Sequence, residues 1–419
     1  MSPFRFVPIG LLLAAIGLST APALVGITAV AHAADPAPQM RPEVAKPLQA
    51  AQDLIKAQKF KEALARVREA DAVGGKTANE QFTIDRMRAS AAYGAGDYET
   101  AANAFEAVIA TGKLAPADQQ RIVQALISIH YTAKDYPKTI SWLNRYFKDG
   151  GDDPKLRALL TQTYYLSGDY ARAAKDLDAD LRADEKAGRK PTEDQLQLQA
   201  NIASKQQDKA GYAAALERLV TYYPTKEYWA DLLNRVQAKP GFSDRLTLDV
   251  YRLKLASGQM KSAADYMEMA QLAMQVGFPA EAKSIVEQGY KAGLMGTGAD
   301  AARHKRMNDL AVKTAADDLK TMEKGETDAN ANKDGTALAN LGYAFVTAGQ
   351  VDRGIALMEK GIAKGGMKRA DDAKLHLGIA YLHADKKADA IKTFKTVQGT
   401  DGSADLSRLW VMQANNPMN

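Results

Sequence analysis

Residues 375–397 read LHLGIAYLHADKKADAIKTFKTV, and we infer the fold from this segment. With a helical period of about 3.6 residues, its apolar and small residues lie on one face of a first helix. After the polar Asp-Lys-Lys break, they lie on one face of a second helix. The packing positions of the pair are Leu377, Gly378, Tyr381, Ala390 and Phe394. The segment predicts a helical hairpin, which needs stacked neighbours because one hairpin cannot bury its apolar faces alone.

Similar turns recur along the chain, each with an aromatic residue where the second helix of a pair would begin. These aromatic residues are Phe60, Tyr98, Tyr136 and Tyr170, at spacings of 38, 38 and 34 residues. A Leu341-Gly342 pair also lies 36 residues before Leu377-Gly378, which makes Gly342 a further packing position. Runs of alternating β-branched residues are scarce, so we expect almost no sheet.

The Leu-Gly-x-x-Tyr…Ala…Phe pattern resembles the tetratricopeptide repeat, whose period is about 34 residues. The resemblance implies an all-α fold, a right-handed superhelical solenoid of stacked antiparallel helix pairs. The segment Gly361-x-x-x-Gly365-Gly366 is similar to the Sel1-like variant of the family. The architecture says less about function, because it serves many unrelated partners.

The N-terminus predicts export. Arg5 precedes an apolar stretch over residues 7–30, and Ala31-His32-Ala33 supplies a small-x-small cleavage site. We therefore expect residues 1–33 to be a cleavable signal peptide and the mature protein to lie in a bacterial periplasm, without a transmembrane segment. A retained anchor is the alternative, since the stretch is long enough to span a bilayer. The chain has no cysteine, so neither a lipid-bearing cysteine nor a disulfide framework is expected.

The mature chain is expected to continue with a flexible Pro-rich leader over residues 34–47. An N-terminal and middle helical array follows over 48–324, with a connection near 186–194 and a long helix over 303–324. A polar linker is expected over 325–335, and C-terminal repeats with a capping helix over 336–419. Whether the array is one rigid superhelix or two blocks hinged near Asn330 stays open.

No residue pattern predicts catalysis, a metal or a cofactor. The chain lacks a zinc-protease helix motif, a phosphate-binding loop and a nucleophile elbow. The histidines after the signal peptide have no ligand-like spacing, and they are His130, His304, His376 and His383. Residues 328–334 space oxygen ligands like the start of a calcium loop, but Lys333 stands where the turn glycine belongs.

A tyrosine series is the main candidate binding surface. Each tyrosine follows a packing position of a first helix, with basic and amide residues one or more turns earlier. We call this set the predicted groove: Tyr93, Tyr131, Tyr165, Arg86, Arg121, Gln124, Lys155 and Gln162. The family resemblance implies a concave surface here, which could hold an extended peptide. The alternative is that the tyrosines pack only between neighbouring first helices. Separately, Arg303-His304-Lys305-Arg306 is either a docking patch for an acidic partner or a solvated helix face.

We therefore expect a periplasmic scaffold that binds a protein or peptide segment and catalyses nothing. The alternative is an accessory factor for outer-membrane assembly or polysaccharide export. A cell-wall-acting enzyme is a distant alternative, because it would need a carboxylate in a closed cleft. The net charge of +5, or +4 once Arg5 leaves with the signal peptide, permits weak attraction to anionic envelope polymers. An exported protein rarely meets nucleic acid, so that partner is not expected.

Overall fold

The computed structural model describes residues 40–418, and its twenty α-helices confirm the predicted all-α fold for that part of the chain. No strand occurs among the described residues. The chain divides into two compact units at Gly188 and Arg189, inside the connection predicted near 186–194. The predicted signal peptide, residues 1–33, and the beginning of the predicted leader lie outside the described residues.

Unit 1, up to Gly188, contains four helical hairpins. Its helices are α1 (Pro42–Lys56), α2 (Phe60–Asp71), α3 (Ala78–Ala95), α4 (Tyr98–Ala110), α5 (Pro116–Thr132), α6 (Tyr136–Lys148), α7 (Pro154–Leu166) and α8 (Tyr170–Lys186). Their main contacts join helices that are adjacent or next but one along the chain. Unit 1 is therefore a stack in which each hairpin is supported by its neighbours.

Aspartates explain why the recurring turns begin a second helix. The side chains of Asp97, Asp135 and Asp169 each accept a hydrogen bond from a backbone amide three residues later, at 3.2, 3.1 and 3.0 Å. Each thereby satisfies one of the free amides at a helix N-terminus. The residue before each aspartate has a positive φ, which glycine adopts at Gly96 and Gly168 without strain.

The predicted leader is wrong over residues 42–47, which form the start of α1. Proline is tolerated in a first helical turn, because the amide it lacks has no partner there in any case. Val44 is fully buried, and Arg41 binds the buried Glu80 carboxylate through Nε and Nη2, both at 3.0 Å. Pro42 therefore begins a packed helix here, and Pro47 lies inside it.

Unit 2, from Arg189 onward, contains the remaining twelve helices. They are α9 (Glu193–Lys205), α10 (Lys209–Tyr222), α11 (Lys226–Gln237), α12 (Thr247–Ala256), α13 (Ala263–Gln275), α14 (Pro279–Lys291), α15 (Ala301–Ala331), α16 (Thr336–Thr347), α17 (Val351–Lys364), α18 (Ala370–His383), α19 (Lys387–Phe394) and α20 (Ser403–Asn415). A short 3-10 turn, Asp244–Leu246, precedes α12.

The predicted polar linker over 325–335 is wrong for its first seven residues, because α15 continues to Ala331. Met322 and Ala329 are buried in one cluster with Leu338 and Phe345 of α16. The segment is mostly polar in sequence because only one face of the helix is buried. Burial of that narrow face is enough to extend α15 to Ala331. The helical path also rules out a calcium-loop geometry for residues 328–331.

Glycines allow α16 and α17 to approach closely. A Cβ on Gly342 would lie 2.6 Å from the carbonyl oxygen of Gly354, and one on Gly361 would lie 2.7 Å from that of Gly335. Gly378 has the same role in the next hairpin, where its Cα faces the ring of Phe394. Leu377, Gly378, Ala390 and Phe394 are buried, and Tyr381 is half-buried, with its hydroxyl donating to Glu359.

The C-terminal helix closes unit 2 on itself. α20 packs on α18 and α19, as a cap would, and also on α10 and α12. Arg408 binds Glu217 at 2.8 Å, and Lys239 binds Asp405 at 2.8 Å. These partners are more than 160 residues apart, so α20 is held directly to α10 and to the segment that follows α11.

A buried charge network joins helices in the middle of unit 2 to α18. We call it the Arg252 network: Asp249, Arg252, Glu281 and His376. The Arg252 guanidinium donates to both oxygens of Glu281 at 2.7 Å and to Asp249 Oδ1 at 2.6 Å. His376 Nε2 lies 2.8 Å from the same Asp249 oxygen, and the imidazole stacks on the Tyr343 ring at 4.8 Å. The network thus connects α12, α14, α16 and α18.

The network fixes the ionisation of Asp249 and Arg252. Burial alone would raise the pKa of Asp249, but the neighbouring His376 and Arg252 hold it well below its usual range. Burial would lower the pKa of Arg252, but Glu281, Tyr343 and Asp249 raise it well above its ordinary value. Both groups are therefore charged in the folded protein.

We predict opposite effects for two glycine substitutions. Gly342→Ala should destabilise the protein by about 1–3 kcal/mol, because the new methyl group meets backbone that cannot move freely. Gly325→Ala, inside α15, should stabilise it by about 0.5–1 kcal/mol, because nothing lies closer than 4.0 Å to the new Cβ. Urea unfolding of both variants measures the difference. Equal effects of the two changes would contradict the proposed close approach of α16 and α17.

We predict that Arg252→Met destabilises unit 2 by about 3–5 kcal/mol, because it leaves two carboxylates buried without their cation. The pKa of Asp249, lowered in the native protein, should rise in the variant. The loss should therefore be largest near neutral pH and should shrink toward about pH 5, where a carboxyl with a raised pKa binds a proton. Urea unfolding at both pH values measures it.

The matched control is Arg353→Met. The Arg353 side chain is 38% exposed and binds Glu326 at 2.8 Å. Because the pair is partly solvated, its loss should cost no more than about 1 kcal/mol. A similar cost for the two arginine variants would show that burial of the Arg252 network has no special weight.

Candidate functional site

The predicted groove lies on the first helices of three successive hairpins in unit 1. Arg86 and Tyr93 are seven residues apart on α3, as are Gln124 and Tyr131 on α5. Residues at this spacing share one face of a helix. On α7, Lys155 and Gln162 have the same relation, and Tyr165 follows one turn later.

Each tyrosine of the predicted groove packs against an aromatic residue of its own hairpin. The ring of Tyr93 lies 5.8 Å from Tyr98, that of Tyr131 lies 6.4 Å from Tyr136, and that of Tyr165 lies 5.6 Å from Tyr170, between centroids. The partner is always the first residue of the second helix. These edge-to-face or tilted pairs stabilise the turn between the two helices. Each tyrosine thus contacts the second helix of its own hairpin. The alternative considered from the sequence was packing between neighbouring first helices, and it did not include this contact.

Burial affects the three tyrosine hydroxyls. Burial raises the pKa of Tyr93, Tyr131 and Tyr165 above the ordinary value, and the neighbouring tyrosine of each pair adds to the shift. The Tyr93 hydroxyl is enclosed and makes no hydrogen bond of standard geometry among residues 40–418, although the nearby Ser128 side chain opposes part of its shift. All three side chains remain half-buried, so part of each ring still reaches solvent.

The remaining groove residues separate into an exposed and a buried set. Arg86, Arg121, Gln124 and Lys155 are exposed. Gln162 is buried, and its Oε1 has no hydrogen-bond partner within the described residues. The exposed set lies nearer the N-terminal ends of the first helices, and the buried side chains lie nearer their C-terminal ends. The open part of the predicted groove is therefore basic, with one amide from Gln124 and the half-buried tyrosines beside it.

The basic run over residues 303–306 is divided by the helix. His304 is buried, and its Nδ1 accepts a hydrogen bond from the Gly296 amide at 3.1 Å. Arg303, Lys305 and Arg306 are exposed, and Lys305 pairs with Asp309 at 2.7 Å. Three cations therefore face solvent on α15, while the histidine holds the loop before the helix.

Residues 40–418 contain no group of three or more histidine, aspartate or glutamate side chains placed to hold a metal ion. They also contain no helix that is both long and apolar enough to cross a membrane.

The Arg252 network is the feature that sequence reasoning missed. Asp249 and Arg252 are three residues apart beside the apolar positions Val250 and Leu253, and that spacing was a possible signal of a buried pair. Their partners were not foreseeable, because Glu281 and His376 lie 29 and 124 residues from Arg252 in the sequence. The network also borders an open cavity in unit 2, whose side chains are described below.

Comparison with solved structures finds distant resemblances. The structure of Naa15/Naa10 bound to HypK-THB is 14% identical with a TM-score of 0.36, and the match covers 87% of this chain and 58% of that chain. The crystal structure of yeast Tom70 is 11% identical with a TM-score of 0.25, covering 88% and 95%. A Rap protein complexed with competence and sporulation factor is 12% identical with a TM-score of 0.23, covering 89% and 97%. This chain thus spans 58% of the length of the first of these structures.

Comparison with family models identifies the repeats directly. No curated protein matches the chain by sequence. The tetratricopeptide repeat model matches residues 86–154, within unit 1, and residues 340–405, within unit 2. The similarity of residues 361–366 to the Sel1-like variant stays a prediction. Both matched segments consist of consecutive α-helices, so these two regions match the tetratricopeptide repeat in sequence and are helical in structure.

Proposed function

We propose that this protein is a non-catalytic scaffold of the bacterial periplasm that holds a protein or peptide segment in the predicted groove of unit 1. The observation that carries the proposal is the exposed basic and amide set on three successive first helices. Tetratricopeptide repeats are suited to protein–protein interaction, and repeated first helices present side chains at regular intervals.

The exposed cations of the groove are available to a partner. Arg86 stacks 5.7 Å from the Phe82 ring, which leaves its guanidinium edge free for hydrogen bonds. Arg121 pairs with Asp118 at 3.6 Å, and both side chains are at least 39% exposed, so the pair is weak. The Lys155 side chain forms no ion pair with a residue between 40 and 418. An acidic, extended segment fits this arrangement, with Gln124 able to bond its backbone.

The tyrosines contribute to this surface indirectly. Their ring pairs fix the angle between the two helices of each hairpin and therefore the spacing of successive first helices. Their half-exposed faces add apolar area beside the charges. We therefore assign recognition mainly to the charged set and positioning mainly to the tyrosines.

An accessory role in outer-membrane assembly or polysaccharide export remains compatible with the same surface, because either role requires a binding scaffold. A wall-acting enzyme would need a carboxyl group with a raised pKa in a cleft. Burial raises the pKa of Asp176 and Asp180 on α8, but the positive charge of Arg157 opposes both shifts. Both side chains are only half-buried, and we do not propose catalysis.

We predict that the variant R86Q/R121Q/K155Q loses its partner. Affinity capture from cross-linked envelope extract should recover a partner protein with the native chain. The amount of that partner recovered with the variant should be about tenfold lower, because three charge contacts are removed. Thermal stability should hardly change, because all three side chains are exposed.

The matched control is K61Q/K138Q/K175Q, which removes the same charge from exposed lysines on the second helices α2, α6 and α8. Its capture should equal that of the native chain. Equal recovery in all three proteins would place binding elsewhere, and equal loss in both variants would indicate non-specific electrostatic attraction.

We predict that the full chain, expressed in a Gram-negative bacterium, is recovered from the periplasmic fraction with its N-terminus at Ala34. Intact-mass measurement and N-terminal sequencing check both points. Ala33→Leu should block processing, because the cleavage site needs a small residue there. An unprocessed native chain in the membrane fraction would support the retained anchor, and one in the cytoplasm would contradict export.

A further inference from the structure

Unit 2 encloses an open cavity of about 400 Å³ beside the Arg252 network. It lies between α12, the start of α14, α16 and α18. Its lining residues are Arg245, Leu248, Asp249, Arg252, Val276, Phe278, Thr336, Ala339, Asn340, Met367, Lys368, Arg369, Asp372, Ala373 and His376. A volume in this range suits a small molecule better than a folded partner.

One part of the wall is apolar. Phe278 is buried, whereas Val276 is 53% exposed and borders the same cavity. Met367 is half-buried in the loop before α18. These three side chains can cover an apolar group of a ligand.

The carboxylates of the cavity are already used. Asp372 accepts from Arg245 through both oxygens, at 2.7 and 2.9 Å. Asp249 is held by Arg252 and His376, as described above. Arg245 also binds Asp401 at 2.5 Å, so four carboxylates surround Arg245 and Arg252 and the two arginines supply no excess positive charge. A cationic ligand would have to displace these charge-assisted hydrogen bonds.

The free donors of the cavity are cationic. Lys368 and Arg369, which we call the rim pair, are exposed and form no ion pair with any residue from 40 to 418. Arg245 uses Nε and Nη2, and its Nη1 makes no hydrogen bond within that range. Exposed Thr336 and Asn340 add neutral polar groups. The cavity therefore combines unused cationic donors with apolar wall.

We propose that this cavity binds a small organic anion, a carboxylate or a phosphate ester with an apolar body. The head group lies at the rim pair and Arg245 Nη1, and the body lies against Val276, Phe278 and Met367. The site is separate from the predicted groove of unit 1, so it does not depend on the function proposed above.

The test uses a defined probe panel on the mature chain: benzoate, hexanoate and phenyl phosphate, with benzamide and hexanamide as uncharged counterparts. Thermal shifts at millimolar concentration and calorimetric titration give the affinities. We expect at least one anion to bind and its amide to fail. K368Q/R369Q should weaken that affinity about tenfold, because two exposed charge contacts are lost.

The control variant K392Q/K395Q removes two exposed lysines from the end of α19, away from the cavity lining. It should bind the anion within about twofold of the native chain. Binding of carboxylates only, or of phenyl phosphate only, supports the proposal and identifies the head group. No binding by any probe, equal binding of an amide, or equal weakening in both double variants would overturn it.

Discussion

The buried guanidinium of Arg252 is the constraint on which unit 2 depends. An arginine that is 5% exposed must have its donors satisfied, and here Glu281 and Asp249 bind it from α14 and α12. The Tyr343 ring of α16 covers its face at 4.8 Å, and His376 of α18 completes the set. Four helices must therefore be in place before this charge can be buried. The main effect of such a network is to favour one arrangement of the helices over others. Its contribution to net stability is smaller, because burying the charges costs free energy.

The two units differ in which of their helices contact one another. In unit 1 the main contacts join neighbouring hairpins, so stability accumulates repeat by repeat. In unit 2 the last helix, α20, contacts α10 and α12, and the ring of Phe242 faces the Cα of Gly402. A stack that closes in this way loses the independence of its repeats. The cavity of unit 2 lies beside the Arg252 network, between α12, α16 and α18.

The fold could be predicted from sequence wherever its cause is local. The aspartates that start α4, α6 and α8 and the small residue opposite Phe394 each act within one hairpin, so their spacing reveals the repeat. Prediction failed where burial depends on distant partners. Residues 42–47 were assigned to a leader from their prolines, although Glu80 and the packing around Val44 make them helical. Residues 325–331 were assigned to a linker from their polarity, although α16 buries Ala329. The Arg252 network lay beyond sequence reasoning for the same reason.

In the predicted groove, one helical face carries both packed aromatic side chains and exposed charged side chains. Sequence spacing places its charged and aromatic residues on one face, but it cannot say which of them are covered. The structure covers Gln162 and half-covers the tyrosines, because each ring meets the aromatic residue five positions later across the turn. The charged side chains Arg86, Arg121 and Lys155 stay exposed. Binding through such exposed charges would weaken as ionic strength rises, because salt screens the charges. The packing of the uncharged tyrosine pairs does not depend on ionic strength in this way. Salt should therefore weaken binding at this surface without loosening the hairpins that carry it.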